Sequence, residues 1–359
     1  MLLEPVRTYL FILLSLSIGV LCVRHIRSKD RYEKEPYIYL LGVTIWGGFC
    51  AYYIAGGLYE MLPRWEIYDL ENTWGALLII GPVEEFAKLS ALFLSYWIFR
   101  KQLNEPVDGL LYMTCVALGF SLIENHQYAM QPQVGAPWIL LSRLLISTPA
   151  HINFSVFMGL AFYLFVQNKR AWYLLIPAFV YASLAHGVYD MIIFNGYFFF
   201  LLAAVMGLAY KAAVGLLGYA TAKSNFRNTL WSQLTTAEPV EQEAAPCPRC
   251  GNKAIKPAYR LLSQTIQKCD QCMDFITTAD GLHTIMHHFA AAPGRSFLGR
   301  PRFAEFTTFY LEAHPTVAKS SDRQWVSFDL IRLNHIIEAN NQHTIDRMEK
   351  RWWFPKGLL

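Results

Sequence analysis

Charged residues are scarce in this chain of 359 residues: they make up 16% of it, against a usual share of about a quarter. Scarce charge argues against a disordered protein, which needs many charged and few apolar residues. Seven cysteines are too few for a disulfide-dense secreted scaffold, and the 22 glycines are too few for collagen. The chain is rich in apolar residues instead, which make up 54% of it.

The apolar residues are concentrated in long runs. Between residues 171 and 210, for example, Asp190 is the only charged residue. Such runs are typical of membrane spans, because about 20 helical residues cross the ~30 Å hydrocarbon core. We expect an all-α polytopic membrane protein with about seven transmembrane helices, the fifth kinked at Pro149. The predicted spans are residues 9–23, 37–59, 73–99, 108–128, 138–166, 171–194 and 197–220.

Lysine and arginine gather in alternate loops, which orients the helices because cytoplasmic loops are enriched in these residues. The loops after the first, third, fifth and seventh spans are basic, and the loops between them are acidic, uncharged or very short. This alternation predicts a plasma (inner) membrane protein with its N-terminus outside and its C-terminal tail in the cytoplasm. The first span does not resemble a cleavable signal peptide, because its basic cluster follows the apolar stretch.

Several ionisable residues lie inside the predicted spans. Each costs about 2.5–3.5 kcal/mol to insert, so such residues usually face a cavity and have a function. Glu84 and Lys88 are four residues apart and are expected to pair, whereas Glu85 points about 100° away on the same helix. Two adjacent carboxyl groups in an apolar medium rarely both ionise, so one of them is suited to act as a general base.

Two further spans carry ionisable groups at helical spacing. His186 and Asp190 are four residues apart, which lets the carboxylate orient the imidazole. Arg143 is expected to be structural, either snorkelling outward or pairing with a buried acid. One such residue alone is often structural, but the whole set indicates a functional cavity: Glu84, Glu85, Lys88, Glu124, His151, His186 and Asp190.

Four motifs in successive spans carry a resemblance to a known family. They are Glu84-Glu85-x-x-Lys88, Phe120-x-x-x-Glu124-Asn125, His151 followed by Phe154, and His186-x-x-x-Asp190. Over roughly residues 35–220 the sequence resembles the PrsW-type intramembrane proteases, a branch of the wider group that includes the CAAX-prenyl endopeptidases. The resemblance implies an endopeptidase that cuts membrane-anchored proteins in or beside the bilayer, as in regulated intramembrane proteolysis.

The resemblance also implies catalytic roles for these residues. Glu84 and Glu85 would bind and activate the attacking water, and Glu85 is preferred as the base because Glu84 is expected to pair with Lys88. Glu124 would share the proton. The remaining residues would position the water, stabilise the oxyanion or support the others: His151, His186, Asp190, Lys88 and Asn125.

The same glutamates and histidines are also suited to ligate a zinc ion that lowers the pKa of a bound water. The usual H-E-x-x-H signature is absent, however. Water activated by glutamate without a metal is therefore the preferred mechanism, and a zinc-dependent intramembrane metalloprotease is the alternative. Metal content would separate the two.

The C-terminal part of the chain differs in character. Residues 1–222 have balanced charges, so the whole surplus of +4 lies in residues 223–359 and is too small to indicate nucleic-acid binding. After a linker at residues 223–245, a zinc ribbon is predicted at residues 246–278, where two C-x-x-C pairs suit a structural zinc ion. Residues 279–359 form a cytoplasmic α/β tail of unknown fold. The predicted ligands are Cys247, Cys250, Cys269 and Cys272.

The leading hypothesis is therefore a transmembrane protease domain at residues 1–222 with a zinc-ribbon appendage for a substrate or a cytoplasmic protein partner. A non-catalytic binder of membrane proteins is the hypothesis from another class, because a polar cavity can also hold a transmembrane partner. A proton-coupled transporter is less favoured, because the sequence shows no internal repeat. Cleavage of a membrane substrate would separate the enzyme from the binder.

Overall fold

The computed structural model describes residues 3–30, 32–62, 73–130, 137–196, 199–224, 239–240, 247–251, 255–262, 264–289, 319–320 and 323–351. They belong to two folded units, residues 1–225 and residues 226–355. Most of the expected linker lies outside the described residues, as do residues 290–318 and 352–359 of the tail.

The first unit is helical. Its described residues include seven long helices: α1 (Leu3–Lys29), α2 (Tyr37–Met61), α3 (Gly81–Phe99), α4 (Pro106–Met130), α5 (Thr148–Gln167), α6 (Leu175–Phe194) and α7 (Phe199–Ala222). A π-helical turn precedes α3, at Ala76–Ile80, and another precedes α5, at Arg143–Ser147. The second turn itself follows a short helix at Pro137–Ser142. A 3₁₀ turn at Lys169–Leu174 precedes α6.

Five helical segments within the described ranges are long and apolar enough to cross a membrane, so the predicted count of seven is not confirmed. The segment at residues 73–99 is helical but is not among the five, because Glu84, Glu85 and Lys88 place three charged groups in it. The helix α1 is not among them either. The five are Tyr37–Met61, Pro106–Tyr128, Arg143–Gln167, Lys169–Phe194 and Phe200–Ala222.

The helix α4 is the central helix of this unit, since residues 105–121 are all buried. It lies directly against α5 at two glycines: a Cβ on Gly109 would lie 2.4 Å from the carbonyl oxygen of Gly159. Only glycine permits this approach. On the outside, large apolar side chains such as Phe200 and Leu208 are exposed, as expected of helices that face lipid.

The described residues of the second unit form an antiparallel sheet of six strands, numbered in chain order with the ranges given below, in the order β1-β2-β3-β4-β6-β5. Helices α8 (Ala279–Phe289) and α9 (Leu330–Arg351) pack on it, around a core that includes Ile266, Ile285, Phe328 and Leu333. The strands are β1 (Pro239–Val240), β2 (Ile255–Leu261), β3 (Gln264–Cys269), β4 (Phe275–Thr278), β5 (Lys319–Ser320) and β6 (Arg323–Phe328).

The sheet joins the predicted ribbon to the predicted tail. Phe275 on β4 pairs with Phe328 on β6, and Thr278 pairs with Trp325. The boundary drawn between residues 278 and 279 therefore falls inside one folded unit. Local sequence patterns do not reveal this pairing, because about 50 residues separate the two strands.

Candidate active site

Two π-helical turns introduce the helices that carry the first and third motifs. In each, a backbone N–H bonds to the carbonyl oxygen five residues earlier, from Gly81 to Ala76 and from Thr148 to Arg143. A proline follows immediately in both cases, and Glu84 and His151 each lie two residues beyond it. Single π turns often occur at functional sites, because the extra residue changes the direction of the side chains that follow. The kink predicted at Pro149 takes this form.

Two glycines bring helix α3 against helix α6. A Cβ on Gly81 would lie 2.3 Å from the carbonyl oxygen of Ser183, and one on Gly187 would lie 2.7 Å from Cα of Leu77. Real side chains do not tolerate such distances. The helices therefore touch through their backbones, and the glutamates after Gly81 reach His186.

Glu85 is fully buried and has three partners. Its Oε1 lies 2.7 Å from Nζ of Lys88 and 2.9 Å from Nδ1 of His186. Its Oε2 accepts a hydrogen bond of 2.6 Å from the hydroxyl of Ser155. The predicted pairing of Lys88 with Glu84 is therefore wrong: Lys88 pairs with Glu85, three residues away rather than four.

Ser155 was missed by sequence reasoning. It lies four residues after His151, on the same face of helix α5, and this spacing is the signal that could have found it.

Lys88 also fixes the protonation of His151. Its Nζ lies 2.8 Å from Nδ1 of His151, and an ammonium group can only donate, so Nδ1 accepts and the ring proton sits on Nε2. That Nε2 lies 3.0 Å from Oε2 of Glu124. The ring of Phe120, from the second motif, lies 4.6 Å below Nζ of Lys88 and packs edge-on against His151.

Glu124 is balanced by Arg143, which was expected either to snorkel outward or to pair with a buried acid, and does the latter. Their closest oxygen and nitrogen are 2.8 Å apart. Asn125 holds the arginine in place: its Oδ1 accepts from Nε of Arg143 at 2.9 Å, while its Nδ2 donates to Thr148 at 2.9 Å. Asn125 thus supports the site through Arg143.

Glu84 is the carboxylate with a free oxygen. Its Oε1 accepts a long bond of 3.3 Å from the hydroxyl of Tyr59, which no sequence pattern had indicated. Its Oε2 is buried, has no hydrogen-bond partner within the described ranges, and lies 3.6 Å from Nε2 of His186. This acceptor oxygen and the imidazole rings of His151 and His186 therefore lie around one point.

His186 lies between carboxylates on both of its nitrogens. Asp190 is 3.3 Å from Nε2, which confirms the contact expected from their spacing. Glu85 occupies the other nitrogen and provides a second orienting carboxylate that the spacing did not predict. The ring of Phe154 stacks on the imidazole, with centroids 6.0 Å apart. The ring is thus fixed in position and direction.

Some of these groups are close enough to hold a metal ion. Glu84, His151 and His186 each offer one ligand atom, and the three atoms lie within 4.8 Å of one another. Three protein ligands and an open position are typical of catalytic zinc. In this arrangement, however, Nδ1 of His151 accepts a hydrogen bond from Lys88, and the ring proton is on Nε2. Neither nitrogen then has a free lone pair, so the set does not fit a metal ion unless Lys88 is deprotonated or moves.

The four predicted ribbon cysteines form a separate cluster that could hold a metal ion. Their sulfurs pair at 3.5 Å, Cys247 with Cys272 and Cys250 with Cys269. Each C-x-x-C pair is followed by a residue in the left-handed region, at φ 70° for Gly251 and 63° for Met273. Both N–H groups bond back to the first cysteine of their pair, at 2.8 and 3.0 Å. The same tight turn therefore follows both C-x-x-C pairs.

Backbone groups favour the thiolate form at Cys269. Burial raises the pKa of its thiol, but the N–H groups of Cys272 and Gln271 together with hydrogen bonds from the thiols of Cys250 and Cys272 lower it, to about 7. Nη1 of Arg249 lies 3.0 Å from each of the two carboxylate oxygens of Asp274. The environment suits a metal-binding cysteine.

Comparisons with known proteins match the segment that contains the buried glutamates and histidines. A family profile described as "PrsW family intramembrane metalloprotease" matches residues 35–217, about half of the chain. "Protease PrsW" of Clostridioides difficile (strain 630) is 34% identical over 179 residues, which cover 48% of this chain and 74% of that protein. "Protease PrsW" of Geobacillus kaustophilus (strain HTA426) is 29% identical over 178 residues, covering 49% and 76%. No solved structure matches this chain.

The matched segment contains all four motifs and every residue of the buried site described above. The chain is an integral membrane peptidase that belongs to the PrsW family of intramembrane proteases.

Proposed function

We propose that this protease hydrolyses peptide bonds of membrane-anchored proteins with a water molecule activated by Glu84, without a metal ion in the active site. The observation that carries the proposal is the Oε2 of Glu84, which is buried, lacks a hydrogen-bond partner within the described ranges and lies beside His186. A buried carboxylate oxygen without a donor is suited to bind water. Glu85 is not suited to bind the water, because its three partners already occupy its oxygens.

The roles follow from the hydrogen bonds. Glu84 takes one proton from the water as the water oxygen bonds to the carbonyl carbon of the substrate. The Nε2–H of His151, which faces Oε2 of Glu124 before the substrate binds, donates to the oxyanion that forms. When the C–N bond breaks, Glu84 returns its proton to the leaving nitrogen, so the protons balance. His186, oriented by Glu85 and Asp190, positions the water. Glu124 shares the proton that Glu84 takes from the water.

A zinc-dependent mechanism is the second candidate. It is supported by the profile description, which names metalloproteases, and by the closeness of Glu84, His151 and His186. A zinc ion bound there would supply a polarised water. The contact between Lys88 and Nδ1 of His151 speaks against it, because it places the ring proton on the nitrogen that a metal would need.

Metal analysis of the purified protein separates the two mechanisms. We expect a variant with Cys247→Ser and Cys269→Ser, which lacks the cysteine cluster, to contain no stoichiometric zinc and still to cleave. One zinc ion per chain in this variant, lost on His186→Ala, would establish the zinc mechanism instead.

Trapping with Glu84→Gln tests the proteolytic function itself. This variant keeps the size of the side chain but removes the base, so membrane proteins that co-purify with it should be those that the wild type cuts. Glu60→Gln, which removes an exposed carboxylate from helix α2, is the matched control and should cleave normally. Equal cleavage by Glu84→Gln and the wild type would contradict the mechanism, and no cleavage by either would favour a non-catalytic binder.

The proposal also covers the surroundings of the site. Zinc is the expected ion of the cysteine cluster, because four thiolates suit its tetrahedral coordination. The basic loops after α1, α3, α5 and α7 support an external N-terminus and a tail in the cytoplasm, beneath the plasma membrane. There the zinc ribbon would be available to a cytoplasmic protein partner, and cleavage of a membrane-anchored regulator would belong to regulated intramembrane proteolysis.

A further inference from the structure

The π-helical turn at Arg143–Ser147 determines which side chains of its helix share a face. Arg143 and His151 are eight residues apart. In a regular α-helix, eight steps of about 100° would leave them about 80° apart around the axis. The extra residue of a π turn makes the spacing equivalent to seven residues, or about 20°. The turn therefore places both side chains on one face.

Both of these side chains contact the same carboxylate. Nη2 of Arg143 lies 2.8 Å from Oε1 of Glu124, and Nε2 of His151 lies 3.0 Å from its Oε2. If the turn relaxed to the α-helical form, the two side chains would diverge and one of the two contacts would be lost. The π turn therefore has to be held for His151 to stay in the site while Arg143 balances Glu124.

The side chain of Asn125 bridges the two ends of this turn. Its Oδ1 accepts a hydrogen bond of 2.9 Å from Nε of Arg143, the first residue of the turn. Its Nδ2 donates one of 2.9 Å to Oγ1 of Thr148, whose own N–H closes the turn on the carbonyl oxygen of Arg143. Asn125 and Thr148 are buried, so their hydrogen bond lies where such bonds are strong.

The hydroxyl of Thr148 has a second contact on helix α4. It lies 2.8 Å from the hydroxyl of Ser121, which is also buried and lies one helical turn before Asn125. The other π turn is supported by packing instead, since a Cβ on Gly187 would lie 2.8 Å from the carbonyl oxygen of Ala76. Each π turn thus has a neighbouring helix against its ends.

We propose that Thr148 is a positioning residue of the protease, which together with Asn125 holds the π turn and so keeps His151 in its catalytic place. Neither residue touches the reacting atoms. The inference rests on the proposed function in one respect, that His151 acts on the substrate or its water. It holds with or without a metal ion, because His151 takes part in both mechanisms.

The rival role for Asn125 is to hold Arg143 against Glu124 and nothing more. Thr148→Val separates the two roles, because it removes the hydroxyl, keeps the shape of the side chain and leaves the bond between Arg143 and Asn125 in place. If only Arg143 matters, this variant should cleave normally. If the turn has to be held, it should not.

Cleavage kinetics of the full-length protein test the proposal. Thr148→Val should lower kcat by about 10–100-fold, because small displacements of catalytic groups have effects of this size, with little change in KM. Thr148→Ser keeps the hydroxyl and should restore most of the rate. The matched control is Thr221→Val, which removes a buried hydroxyl that donates within helix α7 to the carbonyl oxygen of Leu217 at 2.7 Å, and it should cleave as the wild type does.

Two kinetic results would overturn the inference. The first is a Thr148→Val protein that cleaves at the wild-type rate. The second is a loss of cleavage that Thr148→Ser shares, since the hydroxyl would then not be the group that matters.

A measurement that needs no cleavage gives a second test. In ¹⁵N NMR spectra of histidine-labelled protein, the ring signals of His151 can be assigned by their loss in His151→Gln. These signals should shift in Thr148→Val, because the contacts with Lys88 and Glu124 change, and should stay in place in Thr221→Val. Unchanged signals in Thr148→Val would refute the positioning role. A wild type that cuts no membrane protein would contradict the proposed function, while the spectra would still decide this inference.

Discussion

The ammonium nitrogen of Lys88 lies 2.8 Å from Nδ1 of His151, a residue 63 positions later in the chain. The same nitrogen lies 2.7 Å from Oε1 of Glu85. One buried cation thus neutralises a carboxylate and selects the tautomer of an imidazole. Lysine is therefore needed at this position for its charge and for its protons, although it takes no part in the chemistry itself.

The adjacent glutamates should differ in what their replacement does. Glu84→Gln should lower the rate of cleavage by about 10²–10⁴, the usual contribution of a general base, with little change in Tm. Glu85→Gln should also be inactive, and it should lower the free energy of unfolding by about 3–5 kcal/mol because it leaves the fully buried Lys88 without its ion pair. Cleavage assays and thermal unfolding in detergent measure both. A larger loss of stability for Glu84→Gln would contradict the assigned roles.

Removing the lysine should create a metal site. In the double variant Lys88→Met with Glu85→Gln no ammonium donates to Nδ1 of His151, so Nε2 can present a lone pair beside Glu84 and His186. We expect this variant to bind one zinc ion more per chain than the wild type, measured by elemental analysis after dialysis against zinc. Adding His151→Ala should remove the extra ion. An unchanged zinc content in the double variant would show that Lys88 does not exclude metal.

The close approach of α3 and α6 should be sensitive to one methyl group. Gly187→Ala would place a Cβ 2.7 Å from Cα of Leu77, so the helices must separate. We expect a loss of about 1–3 kcal/mol in stability, and a loss of cleavage beyond it, because His186 moves away from Glu84. Gly207→Ala is the matched control, since its Cβ would have no neighbour within 4 Å. Normal activity of Gly187→Ala would be incompatible with the described packing.

The cysteine cluster should be a structural metal site. Cys269→Ser should lose about one zinc ion per chain and make the second unit susceptible to proteolysis, because the sulfurs that join its two turns no longer share a metal. Cys50→Ser, which changes a cysteine of helix α2, is the control and should keep the ion. Zinc content and limited proteolysis measure the effect. A Cys269→Ser protein with full zinc content would disprove the assignment.

The positions of the site residues were largely predictable from sequence, but their contacts were not. Helical spacing correctly predicted the contact between His186 and Asp190, because both lie on one face of one helix. Helical spacing did not predict the partner of Lys88, since a residue three positions away on a helix is as easily reached as one four positions away. The packing of α3 against α6 at Gly81 and Gly187 decides between the two glutamates, and this packing is a tertiary contact.

The C-terminal unit shows the same limit. Two C-x-x-C pairs predicted the cysteine cluster, because that chemistry is local. The extension of the sheet by β6 was not predictable, since the pairing of Thr278 with Trp325 depends on a distant segment.

In the proposed mechanism, no single helix of the described residues carries all of the acting groups. Glu84 and Glu85 lie on α3 and His151 lies on α5, but His186, which is proposed to position the water, belongs to α6. By this mechanism the site is complete only after α6, the last of the three helices to be synthesised, has been made. Until α6 enters the membrane, the growing chain would then be unable to cut its own newly inserted helices or those of its neighbours.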